Sequence, residues 1–249
     1  MITYLFLAIF ICLMGYMVYF QTVKSEDFIN SPYNSRQDTF ADRVVRGKIM
    51  SADGKVLAET VVDAAGNETR KYPYGNMYAH VVGFSTNGKS GIESNMNFNL
   101  LRSHSFVLER MFNEIKDEKS MGDNVVTTLD STLQETAYQA LGNYDGAVVV
   151  MEPSTGKVLA MVSKPDFDPN TIAADWDSII SEDNNNSVLL NRATQGLYPP
   201  GSTFKIITTL EYIRENPDYE NYSYSCNGSI TENDFTIHCY NLSLIHISE

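Results

Sequence analysis

A serine and a lysine lie three residues apart where a helix is predicted to begin. Ser202 follows Pro199, Pro200 and Gly201, which end any earlier helix and allow a sharp turn. Apolar residues then recur at helical spacing, at Ile206, Ile207, Leu210 and Ile213. Residues three apart share one helical face, with Cβ atoms about 5–6 Å apart. The spacing therefore predicts that the amine of Lys205 reaches the hydroxyl of Ser202.

A serine hydroxyl is a weak nucleophile unless a neighbouring base takes its proton. A lysine amine can be that base when burial or a second cation lowers its pKa. The N-terminus of a helix also favours the negative charge that develops during attack. Ser202 is thus a candidate nucleophile and Lys205 its candidate proton acceptor.

The same spacing occurs a second time in a setting that predicts no catalysis. Chance alone gives about one Ser-x-x-Lys in a chain of this length. Ser154 and Lys157 are separated by Gly156 and preceded by Pro153, which indicates a tight turn between two strand-like runs. Three-residue spacing brings side chains together only on a helix, so this pair is interpreted as part of a turn.

Other residue types that could do chemistry have structural interpretations. His80 has no second ligand or carboxylate at metal spacing, and Asp166 and Asp168 lie in a proline-containing turn. No Cys-x-x-Cys or zinc spacing occurs. Cys226 and Cys239 could form a disulfide that closes a loop of roughly 14 residues and contributes about 3 kcal/mol, or remain two free thiols.

Composition narrows the class of protein. The chain has 249 residues, of which 43% are hydrophobic, enough for an anchor and one or two folded domains. Its formal net charge of −13 argues against nucleic acid as the main partner and provides no basic patch for anionic lipid.

The N-terminus predicts an uncleaved transmembrane anchor over residues 1–23. The run from Ile2 to Phe20 contains no charged residue and would span roughly 28 Å as a helix. A cleaved signal peptide is the alternative, but the residues after Tyr19 lack a small-x-small cleavage site. Residues 24–41 are polar and predict a linker. The acidic bulk of the chain favours export.

Residues 42–122 predict a small β-containing pedestal domain. Val44 to Ile49 and Lys55 to Thr60 are expected to form a hairpin around Asp53-Gly54, and Tyr78 to Phe84 a further strand. A helix-capable stretch then runs through Leu101.

Residues 123–241 predict a second domain of alternating strands and helices. Val125 to Leu129 is strand-like, and Ser131 to Gln134 has the capping-box pattern of a helix that ends near Gly142. The apolar face of this helix is expected to hold Leu133, Ala137, Ala140 and Leu141. A hairpin of Gly146 to Glu152 and Lys157 to Ser163 follows, with its first strand covered on both faces. Trp176 to Leu190 is expected to be a polar surface excursion.

A series of short motifs occurs in a fixed order from about Arg46 to about Asn241. The blocks are Arg46-Gly47 with Ile49, Asp53-Gly54 with Leu57-Ala58, His80 with Gly83, Gly91-Ile92-Glu93, Thr128 with Asp130 and Gln134, Gly146 to Val149, Pro153 with Thr155-Gly156 and Leu159-Ala160-Met161, Pro169-Asn170, Asn191-Arg192-Ala193, and Tyr198 to Lys205. Taken in order, these motifs resemble those of class B penicillin-binding proteins. The class A alternative needs a glycosyltransferase domain where only about 100 residues of another character lie.

The resemblance implies a mixed α+β or α/β fold with a membrane anchor, a pedestal domain and a transpeptidase domain, whose antiparallel sheet lies between helical layers. Ser202 would open a central buried helix. The implied activity is D,D-transpeptidation: a serine acyl-enzyme cross-links peptidoglycan stem peptides on the outer face of a bacterial cytoplasmic membrane, without metal or organic cofactor. β-Lactams would acylate the same serine. A membrane glycosyltransferase is the implied partner, in cell elongation, division or sporulation.

The chain departs from the family pattern after the serine. The family has Ser-x-Asn and Lys-Thr/Ser-Gly motifs downstream. Ser225-Cys226-Asn227 comes only about 23 residues after Ser202, and Lys89-Ser90-Gly91 precedes it, so both are interpreted as coincidences. The substrate-binding residues are therefore unknown. Residues 242–249 do not resemble the family. We expect a truncated frame with a non-native tail, which lacks the C-terminal half of the site and is inactive as a fragment or reacts poorly with penicillin.

Two alternatives to the transpeptidase are a β-lactam sensor and a non-catalytic, membrane-anchored interaction module. A sensor would use the same serine and lysine to bind the drug and signal. The motifs that precede residue 123 argue against the sensor.

Overall fold

The computed structural model describes residues 2–25, 28, 44–103, 119–181, 187–223, 225, 228–232 and 235–238. It has the mixed α/β fold that the sequence predicts, and it divides into two compact units, Met1–Leu197 and Tyr198–Glu249. The first unit contains α1 (Ile2–Tyr19), β1 (Val44–Val45), β2 (Ile49–Met50), β3 (Val56–Val62), β4 (Glu68–Lys71), α2 (Ala79–Val82), α3 (Gly91–Asn95), α4 (Asn97–Leu100), β5 (Ser120–Met121), β6 (Val125–Val126), α5 (Ser131–Leu141), β7 (Gly146–Met151), β8 (Val158–Lys164) and α6 (Ile172–Ile179). The second contains α7 (Phe204–Glu215), β9 (Ser229–Glu232) and β10 (Phe235–His238), with 3₁₀ turns at Gly201–Thr203 and Tyr219–Asn221.

The N-terminal helix has the length and composition of a membrane span. From Ile2 to Lys24 it is continuous helix, with a mean hydropathy of 2.1 over an 18-residue window and no buried residue in α1. The final turn, Phe20–Lys24, is π-helical. The predicted linker, residues 24–41, lies largely outside the described residues.

The pedestal region is built on a four-stranded sheet of order β4-β3-β2-β6. The predicted hairpin is confirmed, because β2 and β3 pair antiparallel around Asp53-Gly54. The predicted first strand is instead two strands: β1 pairs in parallel with β5, and β2 pairs in parallel with β6.

Two glycines explain why this first strand divides. A Cβ atom on Gly47 would lie 1.9 Å from the Asp123 carbonyl oxygen, and one on Gly122 would lie 1.9 Å from the Leu100 carbonyl oxygen. Gly47 N–H also donates to Leu100 O at 2.9 Å, and Gly122 N–H to Val45 O at 2.8 Å. Three backbone segments therefore meet at a point that only glycine can occupy.

The prediction of a strand from Tyr78 to Phe84 is wrong. Gly75–Tyr78 is a 3₁₀ helix that continues into α2, and Gly83 N–H donates to Ala79 O at 2.8 Å. Tyr78, Ala79 and Val82 are buried, at helical rather than alternating spacing. Packing of these residues into two apolar clusters overrides the strand propensity of the β-branched and aromatic run.

A buried ion cluster lies beside the main core of the pedestal. The carboxylate of Glu93 has an exposed fraction of 0% and accepts from Arg46 Nε at 2.6 Å and from Arg70 Nε at 2.7 Å. Arg46 Nη2 donates to the Glu93 carbonyl oxygen at 2.6 Å, and its Nη1 to Asn97 Oδ1. Arg70 Nη1 donates to Gly47 O at 2.7 Å. The cluster ties β4, α3 and the residues around Gly47 together.

The predicted helix after residue 130 is present as α5 and ends at Gly142, but its cap and its buried face differ from the prediction. Asp130, not Ser131, is the N-cap: its Oδ1 accepts from Leu133 N–H at 2.9 Å, while Ser131 Oγ donates to Asp53 Oδ2 at 2.6 Å. The buried residues are Ser131, Gln134 and Ala137, whereas Leu133 and Ala140 are exposed. Gln134 is turned inward because its side-chain amide bonds to backbone groups of Met77 and Met161, and Ser131 is buried beside Asp53.

The predicted hairpin is confirmed by the antiparallel pairing of β7 with β8. Its first strand is not covered on both faces, as was predicted: burial alternates along β7, and Val149 and Met151 are 43% and 53% exposed. One face packs through Val148 and Val150 against the cluster that contains Ala137 of α5. Within the described residues this sheet has two strands, and Val149 and Met151 are exposed on its other face.

The predicted surface excursion from Trp176 begins inside a helix. Trp176 lies on α6 and packs at 5.9 Å, edge to face, against Phe84 of the pedestal region. Phe84 in turn packs against Phe167 at 5.7 Å. An aromatic cluster therefore joins residues on both sides of position 123.

Candidate active-site serine

The backbone before Ser202 makes the turn that the sequence predicts. Pro200 has helical φ and ψ of −66° and −24°, and Gly201 has a φ of +52°, which residues with a side chain rarely adopt. Gly201–Thr203 forms a 3₁₀ turn that leads directly into α7. Thr203 closes the turn, because its N–H and its Oγ1 both donate to Pro200 O, at 3.2 and 2.6 Å.

Ser202 and Lys205 lie one turn apart on this helical backbone. Both are exposed. Within the described part of the chain, Ser202 Oγ and Lys205 Nζ form no hydrogen bond with each other. The helical spacing that the pair needs is present, and the catalytic roles of the two residues stay predictions.

The expected burial of the serine-bearing helix is not found, since α7 has no buried residue. Phe204, Ile206 and Leu210 are 53%, 64% and 59% exposed. The described elements that follow in the same unit are a short 3₁₀ turn and the two-stranded sheet of β9 and β10. Tyr222, which follows the 3₁₀ turn, packs against Tyr212 with ring centroids 5.1 Å apart. The apolar side chains Phe204, Ile206 and Leu210 of α7 stay exposed.

The second serine–lysine pair lies in the predicted turn. Gly156 N–H donates to Glu152 O at 2.8 Å, and Glu152 N–H to Lys157 O at 2.9 Å. Ser154 and Lys157 are exposed at the tip of the β7–β8 hairpin. Three-residue spacing here follows a turn and does not bring the two side chains onto one helical face.

The two motifs that the sequence analysis interprets as coincidences lie in different parts of the chain. Ser90 is the N-cap residue of α3, next to Lys89, in the first compact unit. Cys226 and Asn227 of the Ser225 motif lie outside the described residues, and so does Cys239, so the predicted disulfide is not described.

His80 and the acids of the proline-containing turn have structural contacts. His80 is buried, with Nε2 3.1 Å from Pro165 O and its ring edge-on to Phe167. Burial lowers the pKa of His80. Asp166 accepts from Asn76 Nδ2 and Tyr138 Oη, at 2.9 and 2.8 Å. Asp168 accepts from Asn170 N–H at 2.8 Å. No cluster of three or more potential metal ligands occurs within the described ranges.

Three motif residues are buried and paired, which the motifs themselves do not predict. Arg46, Glu93 and Gln134 were singled out as members of a series, and nothing in their spacing indicated that each is buried and multiply hydrogen-bonded. Arg46 follows the apolar residues Val44 and Val45, but Glu93 and Gln134 are each followed by a polar residue, so the local sequence does not signal their burial.

Comparison with known proteins gives consistent matches along the chain. A family model described as the penicillin binding protein transpeptidase domain matches residues 146–243, and one described as the penicillin binding protein A dimerisation domain matches residues 46–125. The chain is 40% identical over 187 residues to the peptidoglycan D,D-transpeptidase PbpA of Mycolicibacterium smegmatis, and 33% identical over 181 residues to the peptidoglycan D,D-transpeptidase MrdA of Escherichia coli K12.

Solved structures agree with these matches. Penicillin-binding protein A from M. tuberculosis, as an imipenem acyl-enzyme complex, aligns with a TM-score of 0.67 at 31% identity, over 80% of this chain and 49% of that one. The D,D-transpeptidase domain of a peptidoglycan glycosyltransferase from Eggerthella lenta aligns with a TM-score of 0.65 at 35% identity, over 79% and 43%. The two curated relatives are matched over 66% and 58% of this chain, which spans only 36% and 28% of their length.

Proposed function

The chain belongs to the penicillin-binding proteins, and on this premise we propose that it is a serine D,D-transpeptidase of peptidoglycan in which Ser202 is the nucleophile. The observation that carries the proposal is the position of Ser202. It lies in a helical turn at the start of α7, one turn before Lys205, inside the segment that the transpeptidase family model matches.

In the proposed reaction Ser202 Oγ attacks the carbonyl carbon of the penultimate D-alanine of a stem peptide. Lys205 Nζ accepts the hydroxyl proton and returns it to the departing nitrogen, so that the peptide bond breaks and the terminal D-alanine leaves. An amine of a neighbouring stem then attacks the Ser202 ester. It loses a proton, forms the cross-link and regenerates the serine hydroxyl.

The start of α7 suits the charge that this reaction develops. The first N–H groups of a helix have no acceptor within the helix and point toward its N-terminus. We propose that the Ser202 N–H supplies one of the two donors of the oxyanion hole. Loss of one such donor typically lowers kcat by about a hundredfold to a thousandfold.

We further propose that α1 anchors the chain in the bacterial cytoplasmic membrane, with the remainder on the outer side. The apolar helix from Ile2 to Lys24 supports an anchor. The side follows from the substrate, because peptidoglycan is assembled outside that membrane. A membrane glycosyltransferase that supplies glycan strands is the partner that this role requires.

Labelling with a fluorescent penicillin tests the proposal. We expect the detergent-solubilised chain to form a covalent adduct at Ser202 during extended incubation. Ser202→Ala should abolish the adduct. Ser154→Ala, at the matched pair in the β7–β8 turn, should leave it unchanged. An adduct that persists in Ser202→Ala, or that maps to another residue, would contradict the proposal.

One observation favours a different function. Because α7 is exposed and its serine and lysine are not hydrogen-bonded to each other, the chain also fits a membrane-anchored interaction module without acyl transfer. Absence of any Ser202 adduct after extended incubation, in a chain that is folded by circular dichroism, would select this alternative.

A further inference from the structure

Gln134 is a fully buried polar residue whose side-chain amide makes three hydrogen bonds. Its exposed fraction is 0%. Gln134 Nε2 donates to Met161 O and to Met77 O, each at 2.8 Å, and Met161 N–H donates to Gln134 Oε1 at 2.9 Å. The Gln134 backbone N–H donates to Asp130 O at 2.9 Å as part of α5. The side chain therefore uses both its N–H donors and its oxygen on backbone groups of two other elements.

Gln134 bonds to both backbone groups of Met161, as a neighbouring strand would. A residue in an antiparallel sheet directs both its N–H and its C=O toward the same neighbour. Met161 directs both groups to Gln134, so they point away from β7, its partner strand. Asp130 N–H donates to Leu159 O at 2.8 Å, on the same outer edge of β8. The start of α5 thus covers the edge of β8 that a third strand would otherwise occupy.

The contact with Met77 connects this edge to the pedestal region. Met77 lies in the 3₁₀ helix Gly75–Tyr78, which leads into α2. Nearby, Asn170 pairs with both backbone groups of Tyr72: Tyr72 N–H donates to Asn170 Oδ1 at 2.9 Å, and Asn170 Nδ2 donates to Tyr72 O at 3.0 Å. Residues 72–80 are therefore fastened to residues 161–170 by side-chain amides that bind backbone groups.

We infer that Gln134 is a coupling residue, which takes the place of a third strand on β8 and at the same time fastens the pedestal region to the β7–β8 hairpin. Residues 44–103 and 119–181 then unfold as one cooperative unit, although each contains an apolar cluster of its own. The coupling depends on satisfied buried backbone groups, because removal of the amide leaves the Met77 and Met161 carbonyl oxygens without this donor in an apolar setting. The inference does not depend on acyl transfer at Ser202.

The test compares Gln134 with Gln139, an exposed glutamine on the same helix. Gln134→Glu removes both N–H donors and places oxygen beside two carbonyl oxygens. Gln134→Met is a milder change that keeps the volume and removes all three side-chain hydrogen bonds. Gln139→Glu and Gln139→Met are the matched controls. Trp176, the single tryptophan of the chain, reports by fluorescence on the Phe84–Phe167 cluster, and far-ultraviolet circular dichroism reports on the helices and strands.

In the detergent-solubilised wild-type chain we expect the fluorescence transition to coincide with the circular dichroism transition outside α1. Gln134→Met should lower the midpoint by roughly 10 °C and Gln134→Glu by more, while the controls shift it by less than about 2 °C. If Gln134→Glu does not fold, Gln134→Met decides. In that variant the Met161 amide should exchange its hydrogen roughly tenfold to a hundredfold faster.

Three results would overturn the inference. The first is separate fluorescence and circular dichroism transitions in the wild type. The second is a midpoint for Gln134→Met that equals that of Gln139→Met. The third is unchanged exchange at Met161 in Gln134→Met.

Discussion

The two compact units differ in which of their polar and apolar side chains are buried. In residues 44–197, even charged and amide side chains such as Glu93 and Gln134 are fully buried, and their hydrogen-bonding groups are paired. In residues 198–249, the helix α7 carries apolar residues at helical spacing, yet none of its residues is buried. The residues that determine stability therefore lie in one unit and the candidate nucleophile in the other, and substitutions should separate the two.

The largest expected effect is at Glu93, where one carboxylate offsets two buried guanidinium groups. Glu93→Gln should lower the free energy of unfolding by about 3–5 kcal/mol, because Arg46 and Arg70 stay buried without a counter-charge. The measurement is denaturant unfolding followed by Trp176 fluorescence. Glu59→Gln breaks the half-exposed pair with Lys48 and should change the free energy by less than about 1 kcal/mol. Equal effects of the two substitutions would show that the Glu93 cluster does not hold the pedestal together.

Substitution of one buried leucine in the first unit and one exposed leucine in the second compares the two units directly. Leu100 on α4 is 0% exposed and Leu210 on α7 is 59% exposed. Leu100→Ala should cost about 2–5 kcal/mol of unfolding free energy through lost burial and a cavity, whereas Leu210→Ala should change it by less than about 0.5 kcal/mol. The same unfolding experiment measures both. A large cost at Leu210 would mean that α7 is packed in solution, and would remove the contrast between the units.

The smallest of the three effects depends on pH and concerns His80. Because burial lowers its pKa in the folded chain, the unfolded chain binds more protons near and below the usual histidine value of 6.5. Stability from this residue is complete above that value and is lost as the pH falls below it. Asp166 partly opposes the shift, and Arg192 adds to it.

Unfolding midpoints between about pH 7.5 and about pH 5 measure this dependence. His80→Gln should flatten the slope, whereas substitution of the exposed His238 by glutamine should leave it in place. A slope that is the same in His80→Gln and in the wild type would exclude His80 as its source.

The sequence correctly predicted the hairpins and the turn whose form is determined by residues close together in the chain. The β7–β8 hairpin follows from β-branched runs on either side of a Pro153 to Gly156 turn, and the Asp53-Gly54 hairpin follows from two residues that favour turns. The turn before Ser202 follows from Pro200, whose ring fixes φ, and from Gly201, which can adopt a positive φ. In each case residues within about ten positions contain the whole signal.

Contacts between residues far apart in the sequence determine the features that sequence patterns did not predict, such as the helix at Tyr78 to Val82 and the buried face of α5. Tyr78 to Val82 is helical because it packs into two clusters at once, and the sequence of that stretch alone favours a strand. Arg46 and Glu93 are 47 residues apart, and Met77 and Gln134 are 57 apart. The inward turn of Gln134 and the outward turn of Leu133 follow from those distant partners, so the apolar face of α5 could not be derived from its own period.

The contact of Gly47 and Gly122 with carbonyl oxygens has a consequence for recognising distant relatives. Core positions such as Leu100 can exchange one hydrocarbon side chain for another, but here even a single methyl group would force two lengths of main chain apart. We expect both glycines to be conserved in related sequences whose core residues have diverged, so that the pair helps to identify distant relatives.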